Sequence, residues 1–369
     1  MENKAKIRNS NIELLKLIAI FLIIISHNLP FNYLLRGNEY LNLNLASNNY
    51  NNALLQFFRY LGQVGNVLFI ICSSWFLTEK KEIKIEKICL IILNSFFISI
   101  ISLTLFEICG FDIKKNMIIK QFFPIIFANN WFIGTYLLFY ILTPFINLTL
   151  QKLNKTQIFD LVIFLNVFRF IELIKQNNYI FNELFAFIII YVIVYYIKNY
   201  KNDFLMNIKK SRVNLIVNLI LLFLMIIILN FAGLRIGSLN DKVLYFANIK
   251  NLIIIMIGIS LFCIFYNKKT RYSKIVNFFA SETLLIYLIH DNFLIREIIR
   301  PLGFKWILIN IGYKNLPLTC IASSFIIFII CILIATVYKV FIETLLIKLI
   351  DKILPIIKNK YYTFRERYE

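Results

Sequence analysis

Histidine is the scarcest titratable residue in this chain, with two in 369 positions, His27 and His290. The six cysteines (Cys72, Cys89, Cys109, Cys263, Cys320 and Cys331) lie scattered through apolar runs without CxxC or metal-ligand spacing. Neither a disulfide framework nor a zinc site is indicated, and no metal is expected. Six prolines and no internal repeat argue against a transporter of inverted repeats, whose broken helices carry paired Gly or Pro interruptions. Acidic residues number 20 against 40 lysines and arginines. Because the bases gather in alternate loops and not on one module, no nucleic-acid partner is expected. The first apolar run follows Lys4, Lys6 and Arg8 but ends Ser26-His27-Asn28-Leu29-Pro30, without a small-residue cleavage site. It is expected to be an uncleaved membrane helix and not a signal peptide.

What abounds is apolar and aromatic. Hydrophobic residues make up 60% of the chain, and the mean hydropathy is +0.74, which excludes an ordinary soluble domain. The apolar runs approach the roughly 20 residues that cross a bilayer, and most lack the polar face of a helix in a soluble core. The expectation is an all-α polytopic membrane protein, a single domain over 1–369. About ten spans lie near 12–29, 60–77, 88–109, 131–149, 157–174, 183–197, 213–233, 249–267, 279–295 and 318–346. The N-terminus, C-terminus and even-numbered loops hold 24 Lys and Arg, against 13 in the odd-numbered loops when Lys250, at the edge of the eighth span, is counted with the loop before it. Both termini are therefore expected in the cytoplasm, with membrane lipids as the surrounding partner.

This orientation puts both histidines toward the outer side, where they could line one cavity. Lys16 precedes His27 by eleven residues, about 16 Å of helix, and projects from the same face within about 20°. Glu13 lies within about 40° of that stripe. A carboxylate, a cation and an imidazole thus share one face of Ile12–His27 (IELLKLIAIFLIIISH). Ionisable groups within a membrane usually face a protein interior or a wet cavity. Pairing of Glu13 with Lys16 at i,i+3 near the cytoplasmic surface would explain two of the three, and leave His27 unexplained. Arg169 and Glu172, also at i,i+3, are expected to neutralise each other. Trp75 and Trp306 read as interface anchors.

The segment Arg8–His27 (RNSNIELLKLIAIFLIIISH) resembles the first helix of the acyltransferase 3 family of integral-membrane acyltransferases. There a basic residue, usually Arg and here Lys16, precedes a histidine by ten intervening residues. Three further stretches resemble the family in order. They are Gly62–Leu77 (GQVGNVLFIICSSWFL), Asn129–Asn147 (NNWFIGTYLLFYILTPFIN) and Ser281–Pro301 (SETLLIYLIHDNFLIREIIRP). In the first of these, Gly62 and Gly65 allow close backbone approach. The second carries Trp131 and Pro144, and the last a Leu-Ile-His signature.

The resemblance implies acyl-CoA as co-substrate, acetyl-CoA above all, and a hydroxyl of a cell-surface glycan or lipid-linked saccharide as acceptor, in the plasma or inner membrane. It implies His27 as general base or acyl carrier, a role that neutral imidazole suits. His290, beside Asp291 and Asn292, would line the acceptor site or relay a proton, and Glu13 joins them as a third catalytic candidate. Lys16 and the loop Glu79–Lys87 (EKKEIKIEK) would meet the CoA phosphates, with Lys84 and Lys87 in place of the family's Arg-x-x-Arg pair; Trp131 would contact the acyl chain or CoA. The same loop also reads as a solvated positive-inside anchor. A glycan exporter or flippase is the alternative, and it leaves the Lys-x10-His stripe without a purpose.

Overall fold

The computed structural model describes residues 8–29, 49–127, 130–175, 183–200, 206–236, 242–312 and 315–365. Among these, helix is the only regular structure. That follows from the composition, because an apolar segment in lipid must satisfy its backbone internally. In chain order the helices are α1 Ser10–His27, α2 Asn49–Leu77, α3 Ile85–Ile108, α4 Lys115–Phe122 and α5 Trp131–Gln151. Then come α6 Lys155–Lys175, α7 Glu183–Tyr200, α8 Ile208–Arg235, α9 Lys242–Tyr245 and α10 Leu252–Tyr266. The chain closes with α11 Lys274–Ala280, α12 Thr283–His290, α13 Arg300–Asn310, α14 Leu316–Tyr338 and α15 Thr344–Arg365. Single π-helical turns, Ile295–Ile299 and Lys339–Glu343, join α12 to α13 and α14 to α15.

Seven helices among the described residues are long and apolar enough to cross a membrane. They are Ser10–His27, Asn51–Leu77, Ile85–Ile108, Trp131–Gln151, Glu183–Tyr200, Ile208–Gly233 and Leu316–Asn359. Three expected spans fall short for physical reasons. Helix α6 carries Asp160 and Arg169 among its apolar residues, and α10 has only 15 residues. The stretch near 279–295 is broken: α12 stops at His290, and the Asn292 side chain accepts the Leu294 N–H at 3.0 Å in a local turn. The break falls beside the second histidine.

Helix α1 sits at the centre, against α2, α10, α11, α12 and α14. Its neighbours bury Ile12, Leu15, Ala19, Ile20, Ile23 and Ile24. The approach of α2 is set by two glycines. A Cβ on Gly62 would lie 2.0 Å from Ser26 Cβ, and one on Gly65 would lie 2.5 Å from the Ala19 carbonyl oxygen. At the start of α1, Ser10 donates to Asn277 Oδ1 at 2.8 Å and accepts the Ser273 N–H at 2.7 Å, fixing it to α11.

Helix α2 begins eleven residues before its expected start near 60, inside the segment between the first two expected spans. Its polar residues can enter the bundle because they find partners there. Gln56 and Asn230 of α8 exchange amide hydrogen bonds at 3.2 and 2.6 Å. This extension makes Arg59 helical and carries it to the end of α1. Trp75 is also not an interface anchor: it is buried against Phe262 and Tyr266, while Trp306 is exposed.

Candidate functional site

The last turn of α1 and the last turn of α12 bring the two histidines together. His27 Nδ1 lies 3.1 Å from His290 Nε2 and 3.4 Å from Asp291 Oδ1. The other His290 nitrogen, Nδ1, lies 3.0 Å from the Ile286 carbonyl oxygen, which can only accept. That fixes the tautomers by elimination. His290 carries its proton on Nδ1 and accepts at Nε2, and His27 carries its proton on Nδ1. The lone pair of His27 therefore resides on Nε2. His290 and Asp291 are buried, while the His27 side chain keeps 19% exposure.

Asp291 is held from the far side. Arg300 Nη1 stands 3.2 Å from its Oδ1, and Arg296 Nη1 stands 3.8 Å from its Oδ2. Arg300 Nη2 also donates to the His290 carbonyl oxygen. Arg296 lies in the π-helical turn after α12 and Arg300 directly follows it, and both reach back to the end of α12. From α2, Arg59 Nη1 donates to Ser26 Oγ at 3.2 Å, one residue before His27.

Donor atoms of His27, His290 and Asp291 all lie within 4.8 Å of one another, a spacing a metal ion can use. The surrounding charge does not fit that use. Two guanidinium groups already claim Asp291 and would repel a dication. The arrangement suits proton transfer, with Asp291 positioned to balance an imidazolium.

Glu13, Lys16, Lys84 and Lys87 lie toward the opposite end of α1. Lys16 and Lys87 converge on one cavity of about 180 Å³, whose lining includes Ile23, Phe132, Tyr136 and Tyr287. Ile23 is one helical turn from His27, and the Tyr287 ring stands 5.5 Å from that of His290. The cavity thus runs from two lysines to the threshold of the histidine pair. Lys87 Nζ donates to Tyr136 Oη at 2.6 Å and lies 4.7 Å from the Tyr140 ring centre. Lys84 is exposed and does not line the cavity; its backbone N–H donates to Tyr140 Oη at 3.0 Å.

Glu13 is buried and pairs with Lys16 at 3.1 Å, the i,i+3 arrangement weighed from the sequence. It stands fourteen residues, about 21 Å of rise, from His27. Trp131 is half-buried outside the cavity and packs edge-on against Phe132, which lines it. In the loop after α2 and the first turn of α3, two acids pair with lysines of other helices and not with the loop's own bases. Glu79 pairs with Lys198 at 2.9 Å and Glu86 with Lys358 at 2.8 Å. Partial desolvation, then Lys87 and Lys84, push the Lys80 ammonium below its usual range, as expected where cations crowd.

Sequence reasoning paired the histidines by depth but gave Arg59, Arg296 and Arg300 no role. Two of these fall inside the late stretch that resembles the family, and the third lay in an apparent loop. The helical break at Asp291-Asn292 was the available signal for the late pair.

No curated protein and no solved structure matches the chain. Residues 9–336 match the family model of the acyltransferase domain, nearly the whole chain. The protein therefore belongs to the acyltransferase 3 family of membrane acyltransferases.

Proposed function

We propose that the protein is a plasma-membrane O-acyltransferase that moves an acyl group, acetyl first among them, from acyl-CoA to a hydroxyl of a cell-surface glycan or its lipid-linked precursor. One observation carries this reading: His27 Nδ1 faces two acceptors, so its Nε2 is held ready as a base. In the reaction, the acceptor oxygen attacks the thioester carbonyl while its proton passes to Nε2. The C–O bond forms, and collapse of the tetrahedral intermediate breaks the C–S bond. The imidazolium then returns the proton to the departing CoA thiolate. Asp291, held by Arg300 and Arg296, balances the transient positive charge, and His290 fixes the ring that bears it. Arg59 is the candidate donor to the oxyanion. The same nitrogen would serve a covalent acyl-imidazole route.

The bias of Lys and Arg toward alternate loops supports ten spans with both termini in the cytoplasm. In that orientation Lys16 and Lys87 face the cytoplasmic pool of acyl-CoA, and His27 lies toward the acceptor's side. The cavity between them accounts for the separation. Charged CoA phosphates would stay among the lysines, and the pantetheine arm would carry the thioester along the apolar walls toward His27.

The test is surface-glycan O-acylation in a strain lacking the gene and complemented with wild type or His27→Ala. Acylation should vanish on deletion, return with wild type and stay absent with the variant at normal membrane levels. Unchanged acylation after deletion would sink the proposal and favour the exporter.

A further inference from the structure

A second buried cation lies on a helix that takes no part in the histidine site. Arg169 of α6 is 2% exposed and is the largest fully buried side chain among the described residues. Its Nη2 donates to Asn166 Oδ1 at 2.7 Å, but Nε and Nη1 are buried without hydrogen-bond partners. No carboxylate among the described side chains lies within ion-pair distance; that of Glu172, its expected partner, is outside them. A buried guanidinium with two unmet donors is strongly unfavourable unless a ligand supplies the acceptors.

Arg169 borders a cavity of about 680 Å³. Lys250, which has Glu183 as a counter-charge, adds a second cation, and Asn251 adds a polar side chain. Apart from Asn166, the remaining walls are apolar, with Met225, Leu229 and Phe246 among them. Along the α6 side, Val167 and Phe170 are also exposed on the outer surface of the bundle, where lipid would touch them. Such a space offers two charges at depth and an apolar flank open to the bilayer. A soluble anion would gain nothing from the flank, and a neutral lipid nothing from Arg169.

The site lies at the same end of the bundle as the histidines. Tyr60, next to Arg59, donates to the Val243 carbonyl oxygen at 2.6 Å, tying α2 to the segment that leads into Phe246 and Lys250. Gln56 of α2 meets Asn230, one residue beyond the cavity residue Leu229.

We infer that this cavity binds the phosphate of a membrane lipid, with unmet N–H groups of the Arg169 guanidinium donating to its oxygens and the chains against the apolar walls. The phosphate can come from a bilayer phospholipid or from a polyprenyl phosphate of the kind that carries saccharides. The site stands apart from the transfer reaction and is read by binding, not turnover.

The experiment uses the full chain in neutral detergent, read by native mass spectrometry and thermal unfolding. The probes are phosphatidylglycerol, polyprenyl phosphate and diacylglycerol as the phosphate-free control. Wild type should retain a phospholipid or a polyprenyl phosphate and unfold several degrees higher with it. Diacylglycerol should give neither effect. Arg169→Met should be at least as stable without lipid and bind about tenfold or more weakly. Arg169→Lys, which keeps the charge but not the fork, should fall between them. His27→Ala should bind as wild type, so a failed acyl-transfer mechanism would leave this result standing. A shift from both phosphate lipids marks a general phospholipid site, and a shift from polyprenyl phosphate alone marks the carrier's; either supports the inference. Equal binding of diacylglycerol would overturn it, as would undiminished binding by Arg169→Met. Should Arg169→Met not accumulate, undiminished binding by Arg169→Lys overturns it equally.

Discussion

The two ends of α1 hold charge in different ways. At the His27 end, polar groups meet named partners: imidazole on imidazole, carboxylate on guanidinium, guanidinium on hydroxyl. At the Lys16 end, Lys16 has Glu13 as its partner, but cations crowd the loop beside the cavity while Glu79 and Glu86 pair elsewhere. The first arrangement fixes the direction of a proton, which is a matter of geometry. The second offers positive potential over an area, which is a matter of charge. Substitutions should therefore behave differently at the two ends. Loss at the histidine end should appear in kcat, and loss at the lysine end in KM for the acyl donor.

The largest effect is expected for His27→Ala, which should lower kcat by about 10³-fold or more, in line with loss of a general base. Measured acyl-CoA affinity should stay within a few-fold of wild type. A variant that keeps its turnover but loses donor affinity would place His27 in binding and erase the contrast between the ends.

Asp291→Asn should come next, lowering kcat by about 10²- to 10³-fold, because the imidazolium loses its counter-charge. It also leaves Arg300 and Arg296 without their carboxylate, so a lower unfolding temperature is expected. His290→Ala should cost less, about 10- to 10²-fold, since Asp291 still accepts from His27 Nδ1. Equal losses at the two positions would mean that the imidazole pair matters more than the carboxylate.

The packing of α1 on α2 separates the ends again. Gly62 faces Ser26, next to His27, whereas Gly65 faces Ala19, nearer Lys16. Either Gly→Ala change should destabilise the protein by about 1–3 kcal/mol through overpacking. Only Gly62→Ala should also depress kcat beyond what the lost folded protein explains, because the new methyl must push Ser26 and with it the reactive ring. Unfolding curves beside specific activity per folded molecule would show the split.

Much of this was legible before any coordinates. Apolar runs dictate helices in a membrane, so the class followed from composition alone. The eleven-residue spacing put Lys16 and His27 on one face, and alternate loop charge put His290 at the depth of His27. The start of α2 was hidden, because Asn and Gln are polar in sequence yet pair across helices within the bundle. The same blindness hid Arg59. Arg296 and Arg300 were visible residues without a visible role, since the turn that aims them at Asp291 is a departure from helix periodicity. Glu13 shows the reverse limit: a shared stripe sets direction but not distance.

The smallest effects belong to the lysines, and they compare the members of one pair. Lys84 and Lys87 occupy the same motif, yet Lys87 alone reaches the cavity, between two tyrosine rings. Lys87→Ala should raise KM for acyl-CoA about tenfold, and Lys84→Ala about two- to threefold, with kcat nearly unchanged in both. The Lys84 effect should fade as salt rises, because an exposed charge acting at a distance is screened within about 10 Å at 0.1 M ionic strength. The Lys87 effect should fade less, because its ammonium, though also exposed, is held between the rings at short range from the cavity. Equal and equally salt-sensitive losses would reduce both residues to a diffuse positive surface, and the cavity would lose its claim to the donor.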